Sequence, residues 1–362
     1  MRSDNLAEDI RSWKMKKIGI IFGGKSTEHE VSQMSAASVL RAIDKKKFTP
    51  VTIGITKTGE WKLFEGDYDK IENGEWEKEA KPFRPSDLKD VCEFAFPVLH
   101  GLNGEDGTIQ GLFEMLDIPY AGCGVAGSAS TMDKGIARDI FRCAGLPMCK
   151  HVAFISADFN DDPDGIMNRI ERELGYPCFV KPSNMGSSVG ISKAHDRAEL
   201  KKGLEEAIRI DRRIVVEEAV DAREVEIAVI GNDYPETAAI GEILPSDEFY
   251  TYHSKYFDNG ETKLVIPADI TDEQRAEIQR IAKIAYKACD CSGLSRVDFF
   301  IDRKTGKVLL NEINTIPGFT AFSMFSLLWA EAGVPYPELI ERIVNYGYER
   351  YNAKAERFAN WF

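Results

Sequence analysis

The most constraining feature of this chain is a pair of alternating apolar and polar segments joined by a short turn sequence. Residues 295–301 read Ser-Arg-Val-Asp-Phe-Phe-Ile, and residues 309–318 read Leu-Leu-Asn-Glu-Ile-Asn-Thr-Ile-Pro-Gly. Between them, residues 302–306 read Asp-Arg-Lys-Thr-Gly, a composition that favours a turn. Because side chains alternate between the two faces of a strand, the segments predict a β-hairpin with one apolar and one polar face.

The predicted pairing gathers polar side chains on one face of the hairpin. It places Asp298 opposite Glu312 and Arg296 opposite Asn314. Three hard oxygen ligands and one guanidinium then lead into a Pro-Gly loop, and such ligands suit Mg²⁺ held with nucleotide phosphates. A solvated hairpin face would carry the same residue types, so the hairpin alone leaves both interpretations open. The opposite face is apolar and consists of Val297, Phe299, Leu310 and Ile313.

Size and charge restrict the class of protein. A chain of 362 residues predicts two or three domains, and a net charge of −13 argues against a nucleic-acid partner. No apolar run approaches the roughly 18 residues that a membrane helix needs. Residues 1–15 are charged and lack the apolar core of a signal peptide. We therefore predict a cytoplasmic protein without a membrane partner, in which residues 1–16 form an N-terminal extension.

The seven cysteines are odd in number and scattered along the chain. Cys289 and Cys291 have no second pair at the spacing that zinc sites use, which argues against a zinc site. Reduced and mostly buried thiols are therefore predicted, in agreement with a cytosolic location.

The first region, residues 17–125, alternates strands and helices and predicts a βαβ domain with a parallel sheet. Its predicted elements are strand 17–22, helix 31–43, strand 51–56, strand 94–99 and helix 106–116. In such sheets, ligands bind beyond the C-terminal ends of the strands. Two polar loops, at 23–30 and 100–107, follow predicted strands and are therefore candidate ligand-binding segments.

Two further α+β regions, at 126–220 and 221–350, and a tail at 351–362 complete the predicted mixed α/β organisation. The second region predicts helices over 130–144 and 163–174 and strands over 148–154 and 178–182. The third region predicts antiparallel strands near 223–243 and helices over 271–290, 323–332 and 336–350. The charged stretch 70–89 in the first region is interpreted as a surface insertion with little regular structure.

Residues 181–190, Lys-Pro-Ser-Asn-Met-Gly-Ser-Ser-Val-Gly, follow a predicted strand and indicate a phosphate-binding loop. Small residues let backbone N–H groups approach an anion, and Lys181 adds a positive charge. The loop is not a Walker A sequence, and an ordinary turn is the alternative. Lys134 near a helix start, with Glu217 and Glu224 near strand ends, are further nucleotide-binding candidates, although each is equally compatible with a solvated charge.

Together these segments resemble the D-alanine–D-alanine ligases of the ATP-grasp superfamily, from about residue 17 to about residue 350. The blocks that carry the resemblance are Gly23-Gly24-x-Ser26-x-Glu28-x-Glu30-Val31-Ser32, Leu99-His100-Gly101-x-x-Gly104-Glu105-Asp106-Gly107, Met132-Asp133-Lys134, Lys181-Pro182-Ser183-x-x-Gly186-Ser187-Ser188-Val189-Gly190, and Arg296-x-Asp298 with Glu312-x-Asn314-Thr315-x-Pro317-Gly318. The resemblance implies an ATP-grasp fold with an N-terminal parallel-sheet domain and two further α+β domains.

The resemblance also implies a role for each matching residue. The implied nucleotide-binding residues are Lys134, Lys181, Glu217, Glu224 and Lys255. The implied ligands of two Mg²⁺ ions, which Mn²⁺ could replace, are Asp298, Glu312 and Asn314. The implied substrate-binding residues are Glu28, Val31, His100, Arg296, Gly318, Ser323 and Met324. The implied catalytic residues are Glu28, Ser187, Tyr256, Arg296 and Gly318.

The implied activity is ATP-dependent ligation of two D-alanine molecules for peptidoglycan precursors. Phosphorylation of a carboxylate gives an acyl phosphate with a good leaving group, and the amine of a second D-alanine then attacks its carbonyl. Arg296 and the backbone N–H of Gly318 would stabilise the negative charge on the carbonyl oxygen. Because an acyl phosphate hydrolyses in water, the resemblance implies a closing segment that carries Lys255 and Tyr256. A homodimer is implied as well.

Several alternatives remain open at this point. Another ATP-grasp ligase would share the nucleotide-binding residues without needing Glu28 and His100 in this placement. A non-catalytic relative would be expected to lose residues such as Asp298 or Glu312. Glu218 departs from a common form of the family pattern, in which lysine follows the acid that matches Glu217.

Within the family, the alternative is a ligase that joins D-alanine to D-serine or D-lactate. Met324 stands where D-serine-forming relatives tend to have arginine, and Tyr256 stands where D-lactate-forming relatives have a histidine-bearing loop. Both residues therefore favour D-alanine as the second substrate. A purely core-filling role for Met324 is the alternative.

Overall fold

The first sheet contains three parallel strands, as the sequence predicts. The computed structural model of the protein describes residues 15–186, 189–244 and 263–360. The strands of this sheet are β1 (Lys16–Gly23), β2 (Phe48–Ile55), β3 (Trp61–Phe64), β4 (Lys81–Pro82) and β5 (Phe94–Pro97). Their order is β4-β3-β2-β1-β5, with β2, β1 and β5 parallel and with β3 and β4 added antiparallel at one edge. The principal helices are α1 (His29–Ala42) and α5 (Thr108–Met115).

The prediction of a surface insertion with little regular structure over residues 70–89 is wrong. Besides β4, this part of the chain contains the short helices α2 (Asp69–Glu72), α3 (Trp76–Glu79) and α4 (Leu88–Val91). Trp76 is fully buried and packs edge-on against Phe22, with ring centroids 4.9 Å apart. Three apolar anchors hold the segment on the sheet; they are Ile71, Trp76 and Leu88. The many charges between these anchors obscured them in the sequence.

The second sheet is antiparallel and has a core of its own. Its strands are β6 (His151–Ile155), β7 (Cys178–Pro182), β8 (Ser192–Ala194) and β9 (Arg213–Glu218), in the order β6-β9-β7-β8. The flanking helices are α8 (Ser156–Asp161), α9 (Pro163–Glu173) and α10 (Arg197–Ile210). A separate apolar cluster that includes Val152, Val180 and Leu204 lies between this sheet and its helices.

The predicted helix over 130–144 is in fact two helices, α6 (Val125–Met132) and α7 (Lys134–Cys143). Asp133 between them has extended backbone angles, with φ −80° and ψ 103°. Its carboxylate accepts hydrogen bonds from the N–H groups of Gly135 and Ile136 at 3.0 and 3.1 Å. The apolar periodicity continues across the break, but a side chain that caps a helix start interrupts the helical backbone. Lys134 therefore becomes the first residue of α7.

The third sheet is antiparallel and contains the predicted hairpin. Its strands are β10 (Ala222–Gly231), β11 (Glu236–Leu244), β12 (Lys263–Val265), β13 (Gly293–Asp302) and β14 (Val308–Asn314), in the order β12-β11-β10-β13-β14. The register pairs Arg296 with Asn314 and Asp298 with Glu312, as predicted. A bulge then omits Asn311, because Phe299 pairs with Leu310. Leu310 and Ile313 are three positions apart and would lie on opposite faces of a regular strand. The bulge allows both to lie on the predicted apolar face.

The C-terminal helices pack on the third sheet, and the last of them also contacts α1 of the first region. They are α11 (Asp272–Ala288), α12 (Met324–Glu331) and α13 (Tyr336–Ala359). The prediction that α13 ends at residue 350 is wrong, because residues 351–359 contain no Gly or Pro and continue the helix. The side chain of Arg350 donates to the backbone oxygen of Gly122, and the hydroxyl of Tyr351 donates to Asp117 at 2.9 Å. The last turns of α13 are therefore fixed to the first region.

One large core cluster spans the first and third sheets. It contains side chains from the first sheet, the third sheet and helices α12 and α13; examples are Phe22, Phe96, Ala228, Phe325 and Ile340. Of the seven cysteines, all but Cys143 are buried. Among the described residues, no helix combines the length and the apolar character that a membrane crossing requires.

Candidate active site

A cavity of about 1560 Å³ lies where the three sheets meet. It is lined by 14 of the 17 residues to which the sequence assigned a role: Glu28, Val31, His100, Lys134, Lys181, Glu217, Glu224, Arg296, Asp298, Glu312, Asn314, Gly318, Ser323 and Met324. The other three, Ser187, Lys255 and Tyr256, lie outside the described residues. Residues separated by up to 296 positions in the chain thus share one cavity.

Glu28 and His100 come from the two polar loops that follow the neighbouring strands β1 and β5. The first loop can turn away from the sheet because Gly23 has a φ of +87°, and a Cβ there would lie 2.2 Å from the backbone oxygen of Ile55. The Glu28 carboxylate lies between glycines of two other loops. A Cβ on Gly101 would be 2.5 Å from Glu28 Oε2, and a Cβ on Gly186 would be 2.9 Å from the same oxygen.

His100 is buried and uses both ring nitrogens. Nδ1 lies 2.8 Å from the backbone oxygen of Ile316, and Nε2 lies 2.9 Å from Oγ of Ser35. Since the carbonyl can only accept, Nδ1 carries the proton, and Nε2 of the neutral ring accepts from the Ser35 hydroxyl. Burial lowers the pKa of the His100 imidazole, although the negative charge of Glu28 opposes this effect. The ring is therefore neutral near pH 7.

Glu105, which the sequence did not assign to the site, lies beside Glu28 and also lines the cavity. Its Oε1 accepts from the N–H of Gly101 at 3.0 Å, and its Oε2 accepts from the N–H of Ile316 at 3.3 Å. Burial raises the pKa of the Glu105 carboxyl to about 8, and the nearby charge of Glu28 contributes to the rise. Glu105 thus ties the 100–107 loop to the segment that follows β14.

The predicted metal face is a row of carboxylates across three strands. Glu226 on β10 pairs with Asp298 on β13, which pairs in turn with Glu312 on β14. Arg296 lies against this row: its Nε and Nη2 donate to the two oxygens of Asp298 at 2.7 Å each, and Nε is 3.0 Å from Glu226 Oε2. Asn314 Nδ2 donates to Asp298 Oδ2 at 2.9 Å. The side chains of this face are thus fixed by one another.

The opposite wall of the cavity presents two lysines and a buried ion pair. Lys134 Nζ donates to the backbone oxygen of Met185 at 2.8 Å, and Lys181 Nζ donates to Glu217 Oε2 at 2.7 Å. Arg138 forms an ion pair with the other oxygen of Glu217. Burial lowers the pKa of the Lys134 ammonium, although the charge of Glu312 opposes this effect. Burial alone would raise the pKa of Glu217, but the two cations lower it to about 2.

The residues around Lys134 form a network that fixes the start of α7. The Ser183 hydroxyl donates to Asp133 Oδ1 at 2.5 Å, and the N–H of Lys134 donates to the Ser183 backbone oxygen at 3.1 Å. Arg213 Nε lies 3.1 Å from Asp133 Oδ2. Nearby, the Glu218 carboxylate accepts from the N–H of Lys150 at 2.8 Å, so this departure from the family pattern has a local structural role.

The remaining end of the cavity is formed by the segment that follows β14. The N–H of Gly318 makes no hydrogen bond within the described part of the chain. Ser323 Oγ accepts from the N–H of Thr320 at 3.0 Å and would be 3.3 Å from a Cβ on Gly318. Met324 is only 7% exposed, and its sulfur would be 2.6 Å from a Cβ on Gly241. Met324 therefore fills the core beside Gly241 and also lines the cavity.

Besides Glu105, three further site residues escaped the sequence reasoning, although each left a signal. Arg138 follows Lys134 by four positions, which places both on one face of α7. Glu226 follows Glu224 by two positions on β10, which places both on one face of the strand. Ser35 follows Ser32 of the quoted motif by three positions, which places both hydroxyls on the buried face of α1.

Glu217→Gln is expected to lower the free energy of unfolding by about 3–5 kcal/mol, because it leaves Arg138 buried without its counter-charge. The folded-state pKa of about 2 lies below the ordinary value of 4.5. The ionised Glu217 therefore stabilises the fold above pH 4.5, and this contribution is lost as the pH falls from 4.5 towards 2. Urea unfolding between pH 7 and pH 3 measures both effects.

The neighbouring Glu218→Gln is the matched control, since it removes a charge from the same strand without touching Arg138. It is expected to lower the free energy of unfolding by about 1 kcal/mol or less, because the amide oxygen can still accept from Lys150. Equal unfolding midpoints for Glu217→Gln and Glu218→Gln would contradict the importance of the buried ion pair.

Comparisons with known proteins agree with this geometry. Residues 17–123 match the family described as D-ala D-ala ligase N-terminus, and residues 140–345 match D-ala D-ala ligase C-terminus. The D-alanine–D-alanine ligase of Acetivibrio thermocellus is 47% identical over 371 residues, covering 95% of this chain and 98% of its own. That of Clostridium acetobutylicum is 50% identical over 342 residues, covering 93% and 99%.

Two solved structures resemble the fold closely. The VanG D-Ala:D-Ser ligase from Enterococcus faecalis has a TM-score of 0.83 and 39% identity, covering 92% of this chain and 100% of its own. The D-alanine–D-alanine ligase from Coxiella burnetii has a TM-score of 0.83 and 31% identity, covering 96% and 99%. Since both family matches and close relatives extend over most of its length, the chain belongs to the D-alanine–D-alanine ligase family.

Proposed function

We propose that the protein joins two D-alanine molecules into D-alanyl-D-alanine, with conversion of ATP to ADP and phosphate, for peptidoglycan precursors. One observation carries the proposal: residues suited to an amino acid and residues suited to a nucleotide line the same cavity. Glu28 and His100 lie at one end of it, and Lys134 and Lys181 line another wall. Transfer of a phosphoryl group between bound substrates requires such a shared site.

The nucleotide is assigned to the wall that carries Lys134, Lys181 and Glu217. The two ammonium groups would face the phosphates, and the small residues of the 183–190 loop would allow a close approach of backbone N–H groups. Because Glu217 is fixed by two cations, it supports Lys181 at this wall. Glu224 is assigned to the ribose or adenine.

The carboxylate face fits Mg²⁺, and Mn²⁺ could replace it. Its side-chain donors would be Asp298, Glu312 and Asn314, all hard oxygen ligands at the cavity surface. No group of three or more His, Cys, Asp and Glu side chains in the described residues could hold a metal without help. The nucleotide phosphates would contribute further ligands. When bound, the metal would neutralise phosphate charge.

The protein's own residues would then carry out four tasks. Glu28 would hold the ammonium of the first D-alanine, and the two lysines would stabilise the transferred phosphoryl group as the acyl phosphate forms. Arg296 and the N–H of Gly318 would stabilise the negative charge that develops on the carbonyl oxygen under attack by the second amine. Ser323 would bind the carboxylate of the second D-alanine. The segment that carries Lys255 and Tyr256 would close over the bound substrates, together with Ser187.

The test is a reaction with ATP, Mg²⁺ and D-alanine, followed by mass spectrometry of the products. D-Alanyl-D-alanine, ADP and phosphate are expected in equal amounts. AMP and pyrophosphate would contradict the proposal, because they would indicate adenylation in place of phosphorylation. Membership of the family also supports the proposal that the protein is a homodimer and acts in the cytoplasm. Light scattering measures the oligomeric state.

At the second site, D-alanine is expected to be preferred over D-serine by roughly 10- to 100-fold, because Met324 presents an apolar wall. An apolar pocket leaves the hydroxyl of D-serine without a partner, which discriminates only moderately. D-Lactate is expected to be used poorly near neutral pH. Competition between equal concentrations of D-alanine and D-serine, read from the dipeptides, decides this; mostly D-alanyl-D-serine would contradict it.

A further inference from the structure

We propose that Ser35 and Ser38 are positioning residues that hold the Gly318 loop, residues 316–321, in a fixed place relative to helix α1. The inference rests on the proposed function, since it concerns how the two D-alanine sites are aligned. Neither serine needs to touch a substrate. Their hydroxyls act on the backbone of the loop that carries Gly318 and that leads to Ser323.

The two serines lie three positions apart on α1 and face the same loop. Ser35 Oγ accepts from the N–H of Phe319 at 3.4 Å, and Ser38 Oγ accepts from the N–H of Ala321 at 3.0 Å. Ser35 also donates to Nε2 of the neutral His100 at 2.9 Å. The hydroxyl of Ser35 thus makes one hydrogen bond as acceptor and one as donor, which fixes its orientation.

The other contacts of the loop show how completely its backbone is held. The backbone oxygen of Ile316 accepts from His100, and its N–H donates to Glu105. The backbone oxygen of Phe319 accepts from the Tyr336 hydroxyl at 2.6 Å. The Phe319 ring is 1% exposed and packs against the rings of Phe96, Phe325 and Tyr336. Peptide groups on both sides of Gly318 are therefore fixed, and Gly318 itself lines the cavity.

This arrangement connects the two substrate sites. Helix α1 starts directly after Glu28, which is assigned to the first D-alanine, whereas the Gly318 loop leads to Ser323, which is assigned to the second. A shift of the loop would change the angle at which the second amine meets the carbonyl, without changing the nucleotide wall. Because amide formation depends on near-attack geometry, a displacement of about 1 Å can reduce its rate about 100-fold.

The experiment compares Ser35→Ala and Ser38→Ala with Ser32→Ala, using the full chain. Ser32 is an equally buried serine on the same helix, but its hydroxyl connects the ends of β1 and β5: it accepts from Gly23 at 2.8 Å and donates to the oxygen of Val98 at 2.6 Å. The readouts are kcat, the KM for ATP, and the ratio of dipeptide formed to phosphate released. Thermal unfolding of each variant measures the loss of stability separately.

For Ser35→Ala, we expect kcat for dipeptide synthesis to fall roughly 10- to 100-fold. The KM for ATP should stay within about twofold of the wild type, since the nucleotide wall is untouched. Dipeptide per phosphate should fall below one, because water hydrolyses an acyl phosphate that the misaligned amine does not capture. Ser38→Ala should show the same pattern more weakly, and Ser38→Thr, which keeps a hydroxyl, should restore the ratio. Ser32→Ala should lose stability but keep the ratio.

An unchanged ratio in both Ser35→Ala and Ser38→Ala, or an equal fall in Ser32→Ala, would overturn the inference. Ser38 is only half-buried, so Ser38→Ala and Ser38→Thr decide the question if Ser35→Ala does not fold. A wild-type protein that makes no dipeptide would instead refute the proposed function, so the two failures are distinguishable.

Discussion

Glu312→Gln is expected to reduce the rate of dipeptide synthesis at least about 100-fold at low Mg²⁺ while the protein stays folded. The substitution preserves the shape of the side chain but removes one of the negative charges that face Asp298 across the hairpin. A hard divalent cation binds an ionised carboxylate far better than an amide. The initial rate as a function of Mg²⁺ concentration, together with thermal unfolding, measures the effect.

Glu236→Gln provides the matched control, because Glu236 is an exposed carboxylate at the start of β11 in the same sheet. It should leave the Mg²⁺ dependence unchanged. Direct Mn²⁺ binding, followed by paramagnetic resonance, gives a readout that is independent of activity. Near-normal turnover of Glu312→Gln at low Mg²⁺, with undiminished Mn²⁺ binding, would mean that the acids of the hairpin are only solvated charges.

The sequence predicted the hairpin well because both of its determinants are local. Alternation fixes which side chains share a face, and the turn at 302–306 fixes the register. The pairing of Asp298 with Glu312 also needs the bulge at Asn311, because the register next to the turn pairs Phe299 with Leu310 and would otherwise place Asp298 opposite Asn311. Convergence of the other site residues could not be predicted in this way, because it depends on how three sheets pack. For those residues, the resemblance to a family supplied what local patterns did not.

The errors have equally local causes. Charges that outnumber apolar residues disguised Trp76 as part of a surface insertion, although one buried indole is enough to anchor such a segment. A helical apolar period continues through Asp133, so only its side-chain cap reveals the break before Lys134.

The partners of buried charged residues also could not be predicted from the sequence. Arg296 was assigned to the reacting carboxylate, but its contacts with Asp298 and Glu226 depend on neighbouring strands and could not be read from one segment. Arg138 on helix α7 is similar, because its partner Glu217 lies 79 positions away on strand β9. In both cases the sequence shows the charged residue but does not show which residue it pairs with.

Arg296→Lys is expected to lower kcat about 100- to 1000-fold, the range measured when one donor to a developing oxyanion is removed. Lysine keeps the positive charge but lacks the planar fork that donates to both oxygens of Asp298 at 2.7 Å while Nε also lies 3.0 Å from Glu226. A single ammonium cannot occupy that position and also point towards the reacting carbonyl. The KM for ATP should change little, because the loss is confined to the transition state.

Arg223→Lys separates this catalytic effect from the loss of an ion pair. Arg223 lies on the adjacent strand β10 and donates to the two oxygens of Glu242 at 2.7 and 2.6 Å, so it has the same fork geometry away from the cavity lining. Steady-state kinetics and urea unfolding of both variants would show comparable stability losses, but a large fall in kcat only for Arg296→Lys. If the two variants kept the same kcat, the guanidinium of Arg296 would be a structural partner of Asp298 and the oxyanion would depend on other donors.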